Sequence, residues 1–415
     1  MSSLRMAVAL LAGLLAGLLL PALPPAVAQG LTTVLEPVGA LWLNALRMTV
    51  LPLVVALLVA GIGRSARSAA ANRLTLRAMR AFLLLLVVGA LLGAALALIF
   101  LRLWPVSPAA AQALRAAAEG GASTVPVLPP LRDWVVSLIP ANPFEAAASG
   151  AMLQLVVFAV LLGFAAARIA DEPRERLLGW FEALGEALFV LVRGVLWAGP
   201  LGVFALALMV GQRGGWDAAG ALGQYLVLAC GVSVVLTLLL YPVAVLAGGV
   251  PLLAFARAAL PSQVVAISTQ SSLASLPSML TGFATLPGPR PGADVVLPLA
   301  VSLFRMTSPL VNIAIVLFVA QVSGVQVGPG AMLAGLLLAV VTSWSVVGLP
   351  SQITFFNTTV PMSLAMGVPT GLLPLLLAVE VIPDLFRTVG NVTADLTVTA
   401  VVTRSHPSPA NLDRP

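Results

Sequence analysis

Six stretches of this 415-residue chain, about 6–28, 38–62, 81–103, 146–168, 187–211 and 221–248, are apolar over the roughly 20 residues that carry a helix across a hydrocarbon core. A soluble fold would have to hide all of them from water at once. Composition agrees: 60% of the residues are hydrophobic, 9% are charged and the mean hydropathy is +1.08, as in polytopic membrane proteins. The expectation is an all-α polytopic membrane protein with the lipid bilayer as its first partner.

Charge then sets orientation. The basic residues are all arginine, which fits a GC-rich bacterial genome and gives no sign of a nucleic-acid partner. Arg64, Arg67, Arg73, Arg77 and Arg80 crowd one short polar loop, as in a cytoplasmic loop. The loop DEPRER at 171–176 suits the same side, and the long Ala- and Pro-rich stretch 104–140 suits the outside. The first thirty residues have the arginine, apolar core and A-x-A-like site (Ala26-Val27-Ala28) of a secretory signal. They are also long enough to span. A retained first helix with a cytoplasmic N-terminus puts the five-arginine loop inside after two crossings, and that is the expectation.

Counts exclude much chemistry. Cys230 is the only cysteine and His406 the only histidine, so disulfide frameworks, zinc clusters and His-based triads are ruled out. No Walker-type phosphate loop is present, nor a lysine to complete one. The chain is not expected to be an enzyme, and energy for transport would have to come from a gradient.

From about residue 250 the pattern changes. AISTQSSLASLPSML (266–280) and VTSWSVVGLPSQITF (341–355) are apolar segments interrupted by small hydroxylated residues, with Pro277 and Pro350 at matching places. Each precedes an apolar helix, about 295–322 and 371–403. Paired broken segments in corresponding halves point to a secondary transporter with inverted repeats. An ordinary pair of proline-kinked helices gives the same pattern, and the two readings stay open at this level.

The last helix carries the strongest signal. At 100° per residue, Glu380, Asp384, Arg387, Asn391 and Asp395 fall within an arc of about 80°. Charged groups at mid-membrane cost about 2.5–3.5 kcal/mol each, so four facing lipid would cost on the order of 10 kcal/mol. They must face protein, water or ligand. Asp384 and Arg387 could neutralise one another as a structural ion pair, which leaves Asp395 without a cation, and a bound metal ion would supply one. Pro383 is a candidate break that detaches Glu380 from the stripe.

DLFRTVGNVTADLT (384–397) resembles the last helix of the dicarboxylate/amino acid:cation symporter family, the glutamate-transporter fold, whose pattern there reads D-x-x-R-T-x-x-N-V-T-G-D. EPVGALWLNALRMTVLPLVVALLVAGI is similar to the family's second helix, IPANPFEAAASG to the start of the fourth and GPLGVFALALMVG to the fifth. TQSSLASLPSML resembles the tip of its first reentrant hairpin and GLPSQ that of the second. Together these cover nearly the whole chain. The resemblance implies eight transmembrane helices plus two reentrant hairpins, a homotrimer in the bacterial inner membrane, both termini cytoplasmic, and elevator-type alternating access. Residues 1–75 would hold scaffold helices 1–2, 76–103 transport helix 3, 104–215 the external loop and scaffold helices 4–5, 216–405 the rest of the transport domain, and 406–415 a cytoplasmic tail.

By position the resemblance assigns Arg387 to the distal carboxylate of a small acidic substrate, through a planar fork that suits it. Asp384 would hold the amino group, Asn391 would face the main carboxylate, and Thr388 would add a polar contact. The hairpin tips, Gln270, Ser271 and Ser272 with Gly348 and Leu349, would supply backbone groups. Asp395 matches a sodium-ligating carboxylate beside the carbonyl of Asn391, and carbonyls near Ser343, Trp344 and Val346 a second cation site.

The chain also departs from the family. Where the seventh helix reads N-M-D-G-T, this one reads RMTSP (305–309), and residues 81–101 contain no Ser, Thr or Tyr to help hold an ion. Fewer sodium sites are therefore expected, with Arg305 as a fixed positive charge or, alternatively, a helix-end group paired with a backbone carbonyl or an external charge. Glu380 is a candidate proton carrier or a helix-end acid in water. The reading is a symporter of an acidic amino acid or dicarboxylate driven by sodium or protons. A gated channel, or a non-transporting membrane sensor of the same fold, is the competitor.

Overall fold

The computed structural model describes residues 2–71, 73–118, 136, 139–149, 151–344 and 351–404. Regular structure among them is helical, with no strand, as an apolar chain must be when each segment has to satisfy its own backbone. In order these are α1 (Ser2–Leu19), α2 (Pro25–Ala71), α3 (Arg73–Leu103), α4 (Pro108–Ala118), α5 (Pro143–Ala148), α6 (Met152–Ala166), α7 (Asp171–Trp197) and α8 (Gly199–Leu246). There follow α9 (Leu252–Thr269), α10 (Ser272–Ala284), α11 (Ala293–Leu303), α12 (Thr307–Ser323), α13 (Pro329–Trp344), α14 (Ser351–Ala365), α15 (Leu373–Val379) and α16 (Val381–Val402). The protein is an all-α polytopic membrane protein. Four segments, Arg73–Leu103, Gly199–Leu246, Leu252–Thr269 and Ala293–Ser323, are each long and apolar enough to cross a bilayer.

Prolines and glycines explain several boundaries. The first crossing closes in a 3-10 turn at Leu20–Ala22, earlier than residue 28, because Pro21, Pro24 and Pro25 stop α1 and start α2. The expected external loop contains α4, packed on α8 and α12. Asn142 starts α5 as an N-cap, its side chain accepting from the N–H groups of Phe144 (3.0 Å) and Glu145 (3.3 Å). Within α8 the chain bends at Gly215 (φ 57°, ψ −149°), a conformation closed to residues with a side chain.

Two helices read as continuous are broken. One is interrupted at Phe304–Met306, between α11 and α12; the other at Glu380, between α15 and α16. Pro309 and Pro383 each lie three residues beyond the last residue of the break, Met306 and Glu380 respectively. Each lacks the N–H that would bond back across the break, to residues 305 and 379 respectively.

α9 and α10 form the first hairpin. Although α9 is apolar enough to cross alone, the chain turns back at Gln270, which adopts a left-handed conformation (φ 52°, ψ 33°). Pro277 lies inside α10 and not at the turn. α13 and α14 pack together as the second hairpin; Pro350 lies outside the described residues.

α12 is buried on almost every side, against α3, α8, α13, α14 and α16. Gly93 of α3 lets the two backbones meet, since a Cβ there would strike the Leu310 carbonyl. At the other end, Arg290 donates to the carbonyls of Gly248 (3.1 Å) and Ala400 (3.0 Å), and Arg404 to those of Leu246 (3.2 Å) and Ala247 (3.1 Å). Two guanidinium groups thus satisfy the terminal carbonyls of α8 and α16.

Candidate functional site

The stripe read from the sequence faces inward. Relative exposure is 0% for Glu380, 1% for Asp384, 5% for Arg387, 3% for Asn391 and 0% for Asp395. The break at Glu380 turns that carboxylate onto the helix that follows. Arg387 Nη1 donates to Glu380 Oε1 at 2.5 Å, and Tyr225 of α8 donates its hydroxyl to Oε2 at 2.8 Å. Glu380 is therefore no helix-end acid in water, and it is the carboxylate at the Arg387 fork.

The start of α12 closes round the same stripe. Arg387 Nη2 donates to Asn312 Oδ1 (3.0 Å), whose amide donates to Ser308 Oγ (3.1 Å). Thr307 gives both its N–H (3.0 Å) and its hydroxyl (2.9 Å) to Asn391 Oδ1. The N-M-D-G-T position thus binds the last helix directly. Arg305, in the break, is 5% exposed, and the charges of Asp384 and Asp395 both act on it. That burial speaks against an external charge as the partner of Arg305 and leaves the pairing with a backbone carbonyl standing beside the fixed-charge reading.

Asp395 differs from its neighbours. Both of its carboxylate oxygens are fully buried, with no hydrogen-bond donor among the described residues. A bare buried carboxylate is costly, and hard oxygen donors of this kind fit a small cation, together with hydroxyls or carbonyls from broken helices. Among the described residues no group of three or more His, Cys, Asp or Glu gathers to hold a metal.

At the first hairpin, Gln270 Nε2 donates to the Val381 carbonyl (3.1 Å) and ties the turn to the start of α16. Ser271 caps α10, its hydroxyl accepting from the Ala274 N–H (3.2 Å), and the Ser272 hydroxyl is buried without a partner. Thr388 turns its hydroxyl to the Asp384 carbonyl (2.7 Å), and Ser343 turns its own to Ala339 (2.5 Å). Trp344 ends α13; Val346, Gly348 and Leu349 lie outside the described residues.

Sequence reasoning missed Tyr225, Thr307 and Asn312 as members of the site. One signal was available: the chain has two tyrosines, and both lie on α8. The second, Tyr241, accepts from Gln263 Nε2 (3.0 Å), which also donates to Thr393 (2.8 Å). In a chain so poor in phenols, each serves a polar group inside the helix bundle, fully buried at Tyr225 and half-buried at Tyr241.

Broken helices, a hairpin turn and inward-facing ionisable groups are the make-up of a secondary transporter. The pattern that defines the sodium:dicarboxylate symporter family matches residues 3–405, and the chain belongs to that family, which is one of symporters and not of enzymes. It is 25% identical over 374 residues to the proton/sodium-glutamate symport protein of Bacillus subtilis (strain 168), covering 90% of this chain and 86% of that protein. It is 24% identical over 379 residues to the proton/glutamate-aspartate symporter of Escherichia coli (strain K12), covering 89% and 85%. It is likewise 25% identical over 383 residues to a C4-dicarboxylate transport protein of Rhizobium johnstonii, covering 90% and 83%.

Proposed function

We propose that the protein is a secondary active symporter in the bacterial inner membrane, whose uptake of a small acidic amino acid or dicarboxylate is driven by a sodium or proton gradient. The observation that carries this reading is Asp395, a buried carboxylate without donors among the described residues, on the same helix face as Arg387, a buried guanidinium. A mobile cation answers the first, and a carboxylate of the solute the second. Asp384 serves an ammonium, Asn391 and Thr388 the solute's polar groups, and the hairpin turns close over it. Relatives named for glutamate, aspartate and C4-dicarboxylates support both solute classes.

The moving part would comprise residues 76–103 and 216–405, with 1–75 and 104–215 anchoring a homotrimer. Gly215 then stands at the junction of the two parts, where a helix must turn. Coupling uses fewer sodium ions than the family pattern, since Thr307 stands where that pattern has an acid.

Uptake of labelled glutamate, aspartate, succinate and malate into proteoliposomes under imposed sodium or proton gradients tests this. Saturable, gradient-driven uptake is expected; passive current without it would establish a channel. In the same assay Arg387→Ala should weaken dicarboxylates at least tenfold more than alanine, which offers the guanidinium no acceptor, about the worth of one hydrogen bond to a charged group. Equal loss for both would make Arg387 structural.

A further inference from the structure

Building on the transport reading, we propose that Glu380 is a specificity-determining residue that masks the charge of Arg387, so that the far end of a bound solute is read by hydrogen-bond geometry and fit instead of net charge. The guanidinium is held from two sides, by Glu380 on Nη1 and Asn312 on Nη2. Each holder is itself held, Glu380 by the Tyr225 hydroxyl and Asn312 by Ser308. Residues from α8, the α15–α16 junction, α16 and α12 thus fix one side chain, and Tyr225 and Glu380 are both fully buried.

Arginine has five N–H donors, so donors remain for a ligand. Its unit charge, however, already faces a carboxylate. Two further charges bear on the pair: Asp384 on α16, which acts on Glu380, and Arg305 in the α11–α12 break, which acts on Arg387. Arg305 is itself faced by Asp384 and Asp395, so it leaves no net positive charge at the fork. A solute carboxylate brought to this neutral pair gains hydrogen bonds but little net attraction, and its amide isostere forfeits little.

Acid and amide pairs decide the matter: L-aspartate with L-asparagine, and succinate with succinamate, competing for uptake in proteoliposomes of the full chain. In the wild type the acid should be preferred by no more than about tenfold, far below the 10⁴-fold rejection of which a site built for one specific polar group is capable. Glu380→Gln unmasks Arg387 and should raise the preference by about tenfold or more, through KM and not kcat. Glu380→Asp keeps the charge and should keep the wild-type ratio. Tyr225→Phe removes a competing donor and leaves the charge of Glu380 in place, so it should keep the wild-type ratio or lower it, opposite to Glu380→Gln.

A wild-type preference above about a thousandfold would overturn the assignment, as would a Glu380→Gln protein whose two uptakes fall together at constant ratio. If Glu380→Gln fails to insert, the wild-type ratio and Tyr225→Phe still decide. Absence of uptake for every compound would overturn the transport reading and this assignment with it.

Discussion

At the scale of single residues, five buried charges carry the argument: Glu380, Asp384 and Asp395 against Arg305 and Arg387. Three negatives against two positives leave one unbalanced negative charge, and the hydrogen bonds place it at Asp395. Asp395→Asn should abolish stimulation by the coupling cation and lower gradient-driven uptake more than tenfold. Because it removes an unpaired charge, it should leave the melting temperature in detergent unchanged or raised, the usual opposition of activity and stability at a functional site. A variant that loses stability and keeps cation dependence would move the ion elsewhere. Arg305→Gln tests the fixed charge: without it, one more cation is needed for balance. The cation dependence of uptake should then steepen by about one ion per solute, whereas Arg305→Lys should behave as the wild type. An unchanged slope in Arg305→Gln would return Arg305 to a structural role.

Among elements, periodicity made some features legible and not others. Asp384, Arg387, Asn391 and Asp395 could be read as one face because they lie within a single regular helix, where spacing alone fixes direction. Glu380 falls on the same arc, but its pairing could not be read, since it depends on the break preceding α16 and on Tyr225, a contact across 155 positions. The hairpins were legible as polar interruptions in apolar runs. The first turn falls at Gln270, within the tip that the resemblance gave, where the reversal takes a left-handed residue; the Leu-Pro pair lies inside α10, and the second turn lies outside the described residues. Close helix packing was hidden. α1 meets α8 through Gly13 and Gly17, where a Cβ at Gly17 would strike the Leu208 carbonyl and come within 2.9 Å of the Gln212 nitrogen. Gly17→Val should therefore lower stability by about 1–3 kcal/mol, as forced overpacking does. Gly30→Val, where a Cβ meets open space, is the control for the valine itself. Equal melting temperatures for the two would show that the α1–α8 contact yields without cost.

For the whole molecule, the two hairpins differ in what they touch. α14 of the second packs against α2, α6 and α7, all in the proposed anchoring part, whereas the first packs on α8, α11 and α16. Leu260, Val264 and Ile267 of α9 are left outward, with 59%, 55% and 51% exposure. If residues 76–103 and 216–405 move as one body against the rest, such a face changes its surroundings once per transport cycle, as rigid-body transitions require. A single cysteine at Ile267, in a Cys230→Ser background that removes the chain's only native thiol, reports this with a membrane-impermeant maleimide. Addition of aspartate with sodium, or with an imposed proton gradient, should change the labelling rate by about threefold or more, since even a modest shift between two populated states redistributes exposure on that scale. The same reagent at a cysteine replacing Leu161 on α6, which is 50% exposed on the anchoring side, should show no such change. Equal rates at Ile267 with and without solute, in protein that transports, would mean that the hairpin stays put and that the solute crosses through a gate in a static bundle.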